Sequence, residues 1–285
     1  MVILCVGGDK RYEYLSEMLR SIGEVYTIGI KSSKDRIDKY EDMPEKADVL
    51  VLPLMGKGME VVCGEVSCPL AAIAGYVKTG GIVLGGRLTN EQQALFAKLD
   101  LESVDYLKIG SLAVKNSIPT AEGTLAIAIE NTDDTVFGSN VLITGWGRTA
   151  KCCARLFKSS GAYCTVAARR SEALADAWTE AADTIKISEL AAKADKYDII
   201  INTVPAMVLT EEVLLNVKEN CLVIDLASIP GGTDFEAAKR LGIRTIHALA
   251  LPGKTAPKAA GRMIYETIID ILEERGVKCD KGDKT

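Results

Sequence analysis

A chain of 285 residues is long enough for two domains of ordinary size, each with its own buried core. Its 48% hydrophobic and 26% charged residues describe a globular protein rather than a disordered one. A net charge of −5 argues against a nucleic-acid binder, and no apolar run approaches the roughly 18 residues that a membrane span needs.

The opening run Val2 to Gly8 reads as a strand ending at two glycines, not as a signal peptide, so a cytoplasmic protein is expected. Tyr12 to Ile22 has helical spacing in Leu15, Met18, Leu19 and Ile22. Strands are predicted at Glu24 to Ile30 and Asp48 to Leu54, then a helix near Leu70 to Val77, with 55–68 as loop. Gly81 to Gly86 is a further strand and Asn90 to Leu99 a helix. Strands alternating with helices of this length indicate a parallel sheet covered on both faces. Pro119, flanked by Ser117 and Thr120, signals a helix start, and this helix is expected to link two lobes.

Alternation then restarts with a strand at Val141 to Thr144, a helix at Thr149 to Ser160 and a strand at Ala162 to Ala167. A helix over Glu172 to Ala182 and a short strand near Thr184 to Ile187 follow. Asp198 to Val204 and Cys221 to Leu226 are near-continuous apolar runs, as strands buried on both faces are. Arg244 to Leu249 closes the sheet. The last helix, Ala256 to Arg275, repeats Ala260, Ile264, Ile268 and Leu272 and is expected to return to the first lobe; the charged tail Cys279 to Thr285 is expected to fray. The fold expected is α/β, two Rossmann-like parallel-sheet lobes with a cleft between them. The boundaries are 1–118 for a substrate domain, 119–136 for the linking helix, 137–255 for a dinucleotide domain and 256–276 for the returning helix. The eight cysteines contain no C-x-x-C pair and there is one histidine, so reduced thiols and no metal site are expected.

The segment Gly145-Trp146-Gly147-Arg148-Thr149-Ala150 is G-x-G-x-x-A, placed after a buried strand and opening a helix. That context turns a weak pattern into a dinucleotide fingerprint. Gly145 permits the tight turn, Gly147 admits a pyrophosphate, and Ala150 lets helix and strand pack closely. At the end of the second strand an NAD-selective domain places a carboxylate for the ribose 2′-OH. Here the segment is Ala168-Arg169-Arg170-Ser171, whose two guanidiniums and hydroxyl suit a 2′-phosphate, so NADP is the expected cofactor. The other reading of Arg169 and Arg170 is as solvated surface charges. Thr203, Val204 and Pro205, and Asp225, Ala227 and Ser228, end two further strands and are expected near the nicotinamide. Asp225 reads equally as a buried acid capping a loop.

The ordered runs Gly7 to Arg11, Asn116 to Gly123, GWGRTA, Asn202 to Pro205, Asp225 to Phe235 and Leu251 to Lys258 resemble those of the dipicolinate synthase A-subunit family. The resemblance implies a layout similar to alanine dehydrogenase and the 2-hydroxyacid dehydrogenases. It implies NADP-linked oxidation of a dihydropyridine-2,6-dicarboxylate (dihydrodipicolinate) to dipicolinate in the mother cell of a sporulating bacterium. It also implies a flavoprotein-like partner, the dipicolinate synthase B-subunit. Association of like copies is expected as well.

Such a reaction creates an aromatic ring, so the protein's work is orientation and neutralisation of two carboxylates. Candidate substrate-binding groups are Ser117 and Thr120 at the helix start, a carboxylate cradle that reads equally as N-capping, and Asp9 and Arg11 at the end of the first strand, where Arg11 reads equally as a structural partner of Asp9. Lys254, beside the turn Leu251-Pro252-Gly253, is another candidate. Arg87 ends the strand Gly81 to Gly86 and could also reach inward, though the resemblance does not single it out. For a general base the candidates are Glu122 and His247, and a water could serve instead. Two other functions stay open: an NADP-linked dehydrogenase of another small acid, and a non-catalytic dinucleotide-sensing subunit.

Overall fold

The computed structural model describes residues 1–30, 33–63, 66–180 and 182–277. The chain divides into two units, one of Met1–Asn116 together with the segment from Ala256 onward, the other of Ser117–Thr255.

The first unit runs β1 (Val2–Val6), α1 (Lys10–Leu19), β2 (Glu24–Ile28), β3 (Ala47–Leu54), β4 (Glu60–Cys63), β5 (Val66–Pro69), α2 (Leu70–Ala74), β6 (Val77–Gly86), α3 (Asn90–Lys98), β7 (Glu102–Asp105) and α4 (Gly110–Lys115). Five strands form a sheet in the order β2-β1-β3-β6-β7, every pair parallel. Strand order reverses between β1 and β3, the switch point of a doubly wound sheet. Side chains alternate about it: Ile3 and Cys5 pack on one face with Leu15 and Leu19, while Leu4 and Val6 pack on the other with Leu70 and Phe96. The segment expected as loop is corrected, since β4 and β5 form a two-stranded antiparallel hairpin. The predicted helix over Leu70 to Val77 stops at Ala74, and β6 starts at Val77, earlier than expected.

The second unit runs α5 (Ser117–Asn131), β8 (Asn140–Thr144), α6 (Arg148–Ser159), β9 (Tyr163–Ala168), α7 (Ser171–Thr179), β10 (Asp183–Lys186), α8 (Leu190–Lys193), β11 (Ile199–Asn202), α9 (Glu211–Leu214), β12 (Leu222–Asp225), α10 (Phe235–Arg240), β13 (Arg244–His247) and α11 (Leu251–Thr255). Its six-stranded parallel sheet has the order β10-β9-β8-β11-β12-β13, the two-halved dinucleotide topology with its reversal between β8 and β11. Ile143, Ile201 and Ile224 fill the core on one face, Leu142, Ile200 and Val223 that on the other. Burial of each such side chain stabilises by roughly 1.5–3 kcal/mol. The helix expected to link lobes, α5, packs inside this unit against α6 and α11. Gly123 makes that packing possible, because a Cβ there would stand 2.4 Å from Thr255 Oγ1.

The last helix, α12 (Pro257–Glu274), belongs to the first unit. Ile264, Ile268 and Leu272 join the core that holds Leu15 and Leu19 of α1. At the crossing a Cβ on Gly261 would meet Arg11 O at 2.6 Å, so the two backbones approach as only glycine allows. The charged tail from Cys279 lies outside the described residues.

Candidate functional site

In the second unit the loop from β8 to α6 is built by its glycines, and the two have different reasons to be glycine. Gly145 has φ 86°, and a Cβ on it would lie 2.8 Å from Thr203 Oγ1 and 3.0 Å from Val204 Cγ2. The turn therefore excludes a side chain on conformational and steric grounds. Gly147, the N-cap of α6, has φ −86° and ψ −172°, which any residue adopts, and a Cβ there would meet nothing within 4 Å. Among the described residues nothing requires its lack of a side chain. A ligand brought against the backbone would. Among the described residues no side chain caps α6, which leaves its first N–H groups and the positive end of the helix dipole to an anion. A dinucleotide pyrophosphate fits this cradle.

Trp146 is turned back into the fold. Its Nε1 donates to Asp176 Oδ2 at 2.9 Å, and Lys151 Nζ lies 5.6 Å from its ring and 2.6 Å from the same carboxylate. The bonds from Lys151 and Trp146 hold the Asp176 carboxyl below its usual range. Trp146 thus ties α6 to α7 while its backbone shapes the turn. Arg148 is exposed and Thr149 half-buried on the first turn of α6.

β9 ends at buried Ala168, and Arg169, Arg170 and Ser171 are all exposed. Arg170 is the N-cap of α7 and gives no side-chain cap. Neither arginine has a carboxylate partner among the described residues. Two unpaired guanidiniums, a hydroxyl and a helix start without a side-chain cap therefore occupy the carboxyl end of β9, with Glu172 the one acid of that first turn.

A buried polar network joins the loops after β11 and β12. Thr144 Oγ1 donates to Asn202 Oδ1 at 2.5 Å, and Asn202 Nδ2 donates to Asp225 Oδ1 at 2.8 Å. Asp225 accepts three further bonds, from Ala227 N at 2.9 Å, Gly232 N at 2.8 Å and Thr233 Oγ1 at 2.7 Å. With 0% exposure and both oxygens committed, its carboxylate is a loop anchor rather than a ligand group. Of its two readings from the sequence, this favours the buried acid that holds a loop over a group facing the nicotinamide. Thr203 Oγ1 donates to Thr144 O at 2.7 Å, so its hydroxyl also supports the turn. Val204 is half-buried, bonded through its N and O to Asn202; Pro205 and Ser228 are exposed and Ala227 is buried.

His247, half-buried at the end of β13, stacks on Phe235 at 5.0 Å, and its Nε2 lies 2.8 Å from Ala227 O. A carbonyl only accepts, so Nε2 carries the hydrogen, and in the neutral ring Nδ1 is the acceptor. Glu122 is exposed on α5. The cradle expected at Pro119 is not formed as predicted. α5 already begins at Ser117, Pro119 lies inside its first turn, and Ser117 is 6% exposed. Leu251-Pro252-Gly253 is likewise no turn but the start of α11, on which Lys254 is exposed.

In the first unit Asp9 caps α1, and Arg11 is 5% exposed. The guanidinium donates to Asp9 through Nε at 2.8 Å and Nη2 at 2.6 Å, so Arg11 is a structural partner of Asp9. Burial raises the Asp9 carboxyl, but the Arg11 bonds and charge outweigh it and the net shift is downward. Below this pair Tyr12 and Tyr106 share a 2.5 Å hydroxyl contact, and Tyr106 donates to Leu52 O at 3.0 Å. Burial pushes the Tyr12 phenol up to about 12. The loop after β3 is also fixed: Gln92, 0% exposed, donates to Gly56 O at 2.9 Å and Gly58 O at 2.6 Å.

Two doubly wound parallel sheets, one with a glycine turn opening an uncapped helix at its switch point, define a protein of the Rossmann-type dehydrogenase fold. The likeness to transhydrogenase from Sinorhizobium meliloti, with a TM-score of 0.72 at 15% identity over 96% of this chain and 93% of that one, is one of fold. Residues 2–107 match the family model for the N-terminal domain of the dipicolinate synthase A-subunit. The dipicolinate synthase A-subunit of Bacillus subtilis (strain 168) is 31% identical over 98% of both chains. The crystal structure of the corresponding A-subunit from Bacillus halodurans has a TM-score of 0.87 at 30% identity, over 95% of this chain and 97% of that one. The chain belongs to the dipicolinate synthase A-subunit family.

Proposed function

We propose that the protein oxidises dihydropyridine-2,6-dicarboxylate to pyridine-2,6-dicarboxylate with NADP+ as acceptor. The observation that carries the cofactor half is the pairing of Gly147, glycine for no internal reason, with unpaired Arg169 and Arg170 at the ribose-reading strand end. Family membership over the whole chain supports the substrate half.

The α6 N-terminus and the backbone at Gly147 hold the pyrophosphate, and Arg169, Arg170 and Ser171 hold the 2′-phosphate. The loops of Thr203 to Pro205 and Ala227 to Ser228, locked by the Asn202–Asp225 network, would hold the nicotinamide half of the cofactor. Bound nicotinamide supplies the hydride acceptor. One ring C–H bond of the substrate breaks with its electron pair, a proton leaves the ring, and an aromatic pyridine remains. His247 Nδ1 takes that proton, because Ala227 O fixes the tautomer that leaves it free. Much of the driving force lies in aromatisation, so a modest base suffices. The family name implies a second component, and the dipicolinate synthase B-subunit is proposed as partner.

Turnover assays with freshly generated dihydrodipicolinate test the reading. NADPH formation is expected, with NAD+ the poorer acceptor. Turnover of a 2-oxo or 2-amino acid with none of dihydrodipicolinate would replace the proposal.

A further inference from the structure

Three non-glycine residues among those described have positive φ: Arg87 at 60°, Asp100 at 56° and Ala250 at 59°. Asp100 follows α3, where a left-handed residue commonly ends a helix, and Ala250 has the smallest side chain that can be strained. Arg87 has neither explanation. It directly follows β6 and carries a long charged side chain in a conformation that favours glycine.

The surroundings hold it there. Gly86 O accepts from Met55 N at 2.7 Å, on the neighbouring strand's exit. Arg87 N donates to Asp105 Oδ1 at 3.0 Å, and the same oxygen accepts from Leu107 N at 3.1 Å. Gly86 itself is pressed on Tyr106, where an added Cβ would stand 3.1 Å from the hydroxyl. The backbone of Arg87 is thus fixed between the exits of β3 and β7. Its side chain is exposed and has no acidic partner among the described residues. Glycine would satisfy the backbone without strain, so the backbone does not account for arginine; strain of this kind is kept where the side chain has work to do. The carboxyl ends of β1, β3, β6 and β7 are also where doubly wound sheets bind ligands, and there the Tyr12–Tyr106–Leu52 chain joins α1, the segment after β7 and β3. Arg11, at the same end, is already neutralised by Asp9.

We propose that Arg87 binds a carboxylate of the substrate, its fork taking the two oxygens in a bidentate contact, and so makes the first unit selective for a dicarboxylate. This rests on the reaction proposed above. Arg87→Gly removes the guanidinium while relaxing the backbone, so the fold is retained, and Arg87→Lys keeps the charge without the fork.

Calorimetric titration of the full chain with pyridine-2,6-dicarboxylate, with picolinate and with NADP+ tests the assignment, alongside turnover. Arg87→Gly is expected to weaken pyridine-2,6-dicarboxylate at least tenfold and to erase its preference over picolinate. NADP+ affinity should stay unchanged, melting temperature should not fall, and Arg87→Lys should lie between glycine variant and wild type. Wild-type turnover with an unchanged Michaelis constant and dicarboxylate affinity in Arg87→Gly overturns the role of Arg87 alone. Wild-type protein that neither binds the dicarboxylate nor oxidises its dihydro form overturns both this role and the reaction.

Discussion

Gly145 and Gly147 stand two residues apart in one loop, and substituting each should damage a different property. Alanine at 145 must take φ 86°, which costs an L-residue roughly 1–2 kcal/mol. Its Cβ would also lie 2.8 Å from Thr203 Oγ1, displacing a hydroxyl that donates to Thr144 O and losing about 1 kcal/mol more. Gly145→Ala should therefore destabilise by about 2–3 kcal/mol and lower the melting temperature by roughly 5–10 °C. Valine at 147 meets no atom within 4 Å of its Cβ and an ordinary φ, and costs at most about 1 kcal/mol as a poorer N-cap. It should still abolish NADP+ binding, because the branched side chain fills the pyrophosphate's approach. Thermal melts and calorimetric titration with NADP+ separate the two effects. Gly147→Val protein that binds NADP+ with wild-type affinity would refute the cradle. A Gly145→Ala protein as stable as wild type would refute the steric argument.

Replacing Arg169 and Arg170 together with alanine should weaken NADP+ by about 100-fold, the worth of one or two charge-assisted bonds to a phosphate, while NAD+ changes less than about threefold. Equal losses for the two dinucleotides in calorimetry would remove the charge argument. Asp225→Asn keeps an acceptor for Ala227 N and Asn202 Nδ2 but turns an amide toward Gly232 N, leaving a buried N–H unpaired. A loss of about 2–3 kcal/mol in urea unfolding is expected, and a neutral result would mean the network relaxes freely. At acid pH the protein should lose stability in part through Asp198, whose carboxyl burial raises but Lys218 and Asn140 lower on balance. A folded pKa below the unfolded one gives stabilisation that is present above about pH 4 and lost as pH falls through the folded value. The acid limb of the unfolding profile should flatten in Asp198→Asn; an unaltered limb would assign it to other carboxylates.

The sheets were legible because strands buried on both faces, such as Ile199–Asn202 and Leu222–Asp225, are apolar runs that no loop needs. The β4–β5 hairpin is not, since four-residue strands carrying Glu60 and Ser67 offer no run, although Val61 and Cys68 contribute to the core. Pro119 marks the start of α5 two residues late, because proline is tolerated through the first turn and not only at its opening. At the site, glycine spacing identified the turn, but the difference between Gly145 and Gly147 depends on Thr203 and Val204, far along the chain. Asp225 remained ambiguous for the same reason: its acceptors are filled by Asn202, Gly232 and Thr233, which the segment around Asp225 does not reveal. Arg11 read as a clamp or a partner, and only its 5% exposure and paired bonds to Asp9 decide.

Transfer of a hydride from a dihydropyridine dicarboxylate to NADP+ by this chain is the central claim. A single-turnover reaction of the purified chain with NADP+ and dihydrodipicolinate, with both products quantified, tests it most directly. Equal amounts of pyridine-2,6-dicarboxylate and NADPH are predicted from the chain alone. Dipicolinate appearing with no NADPH, or neither product at any enzyme concentration, would contradict it.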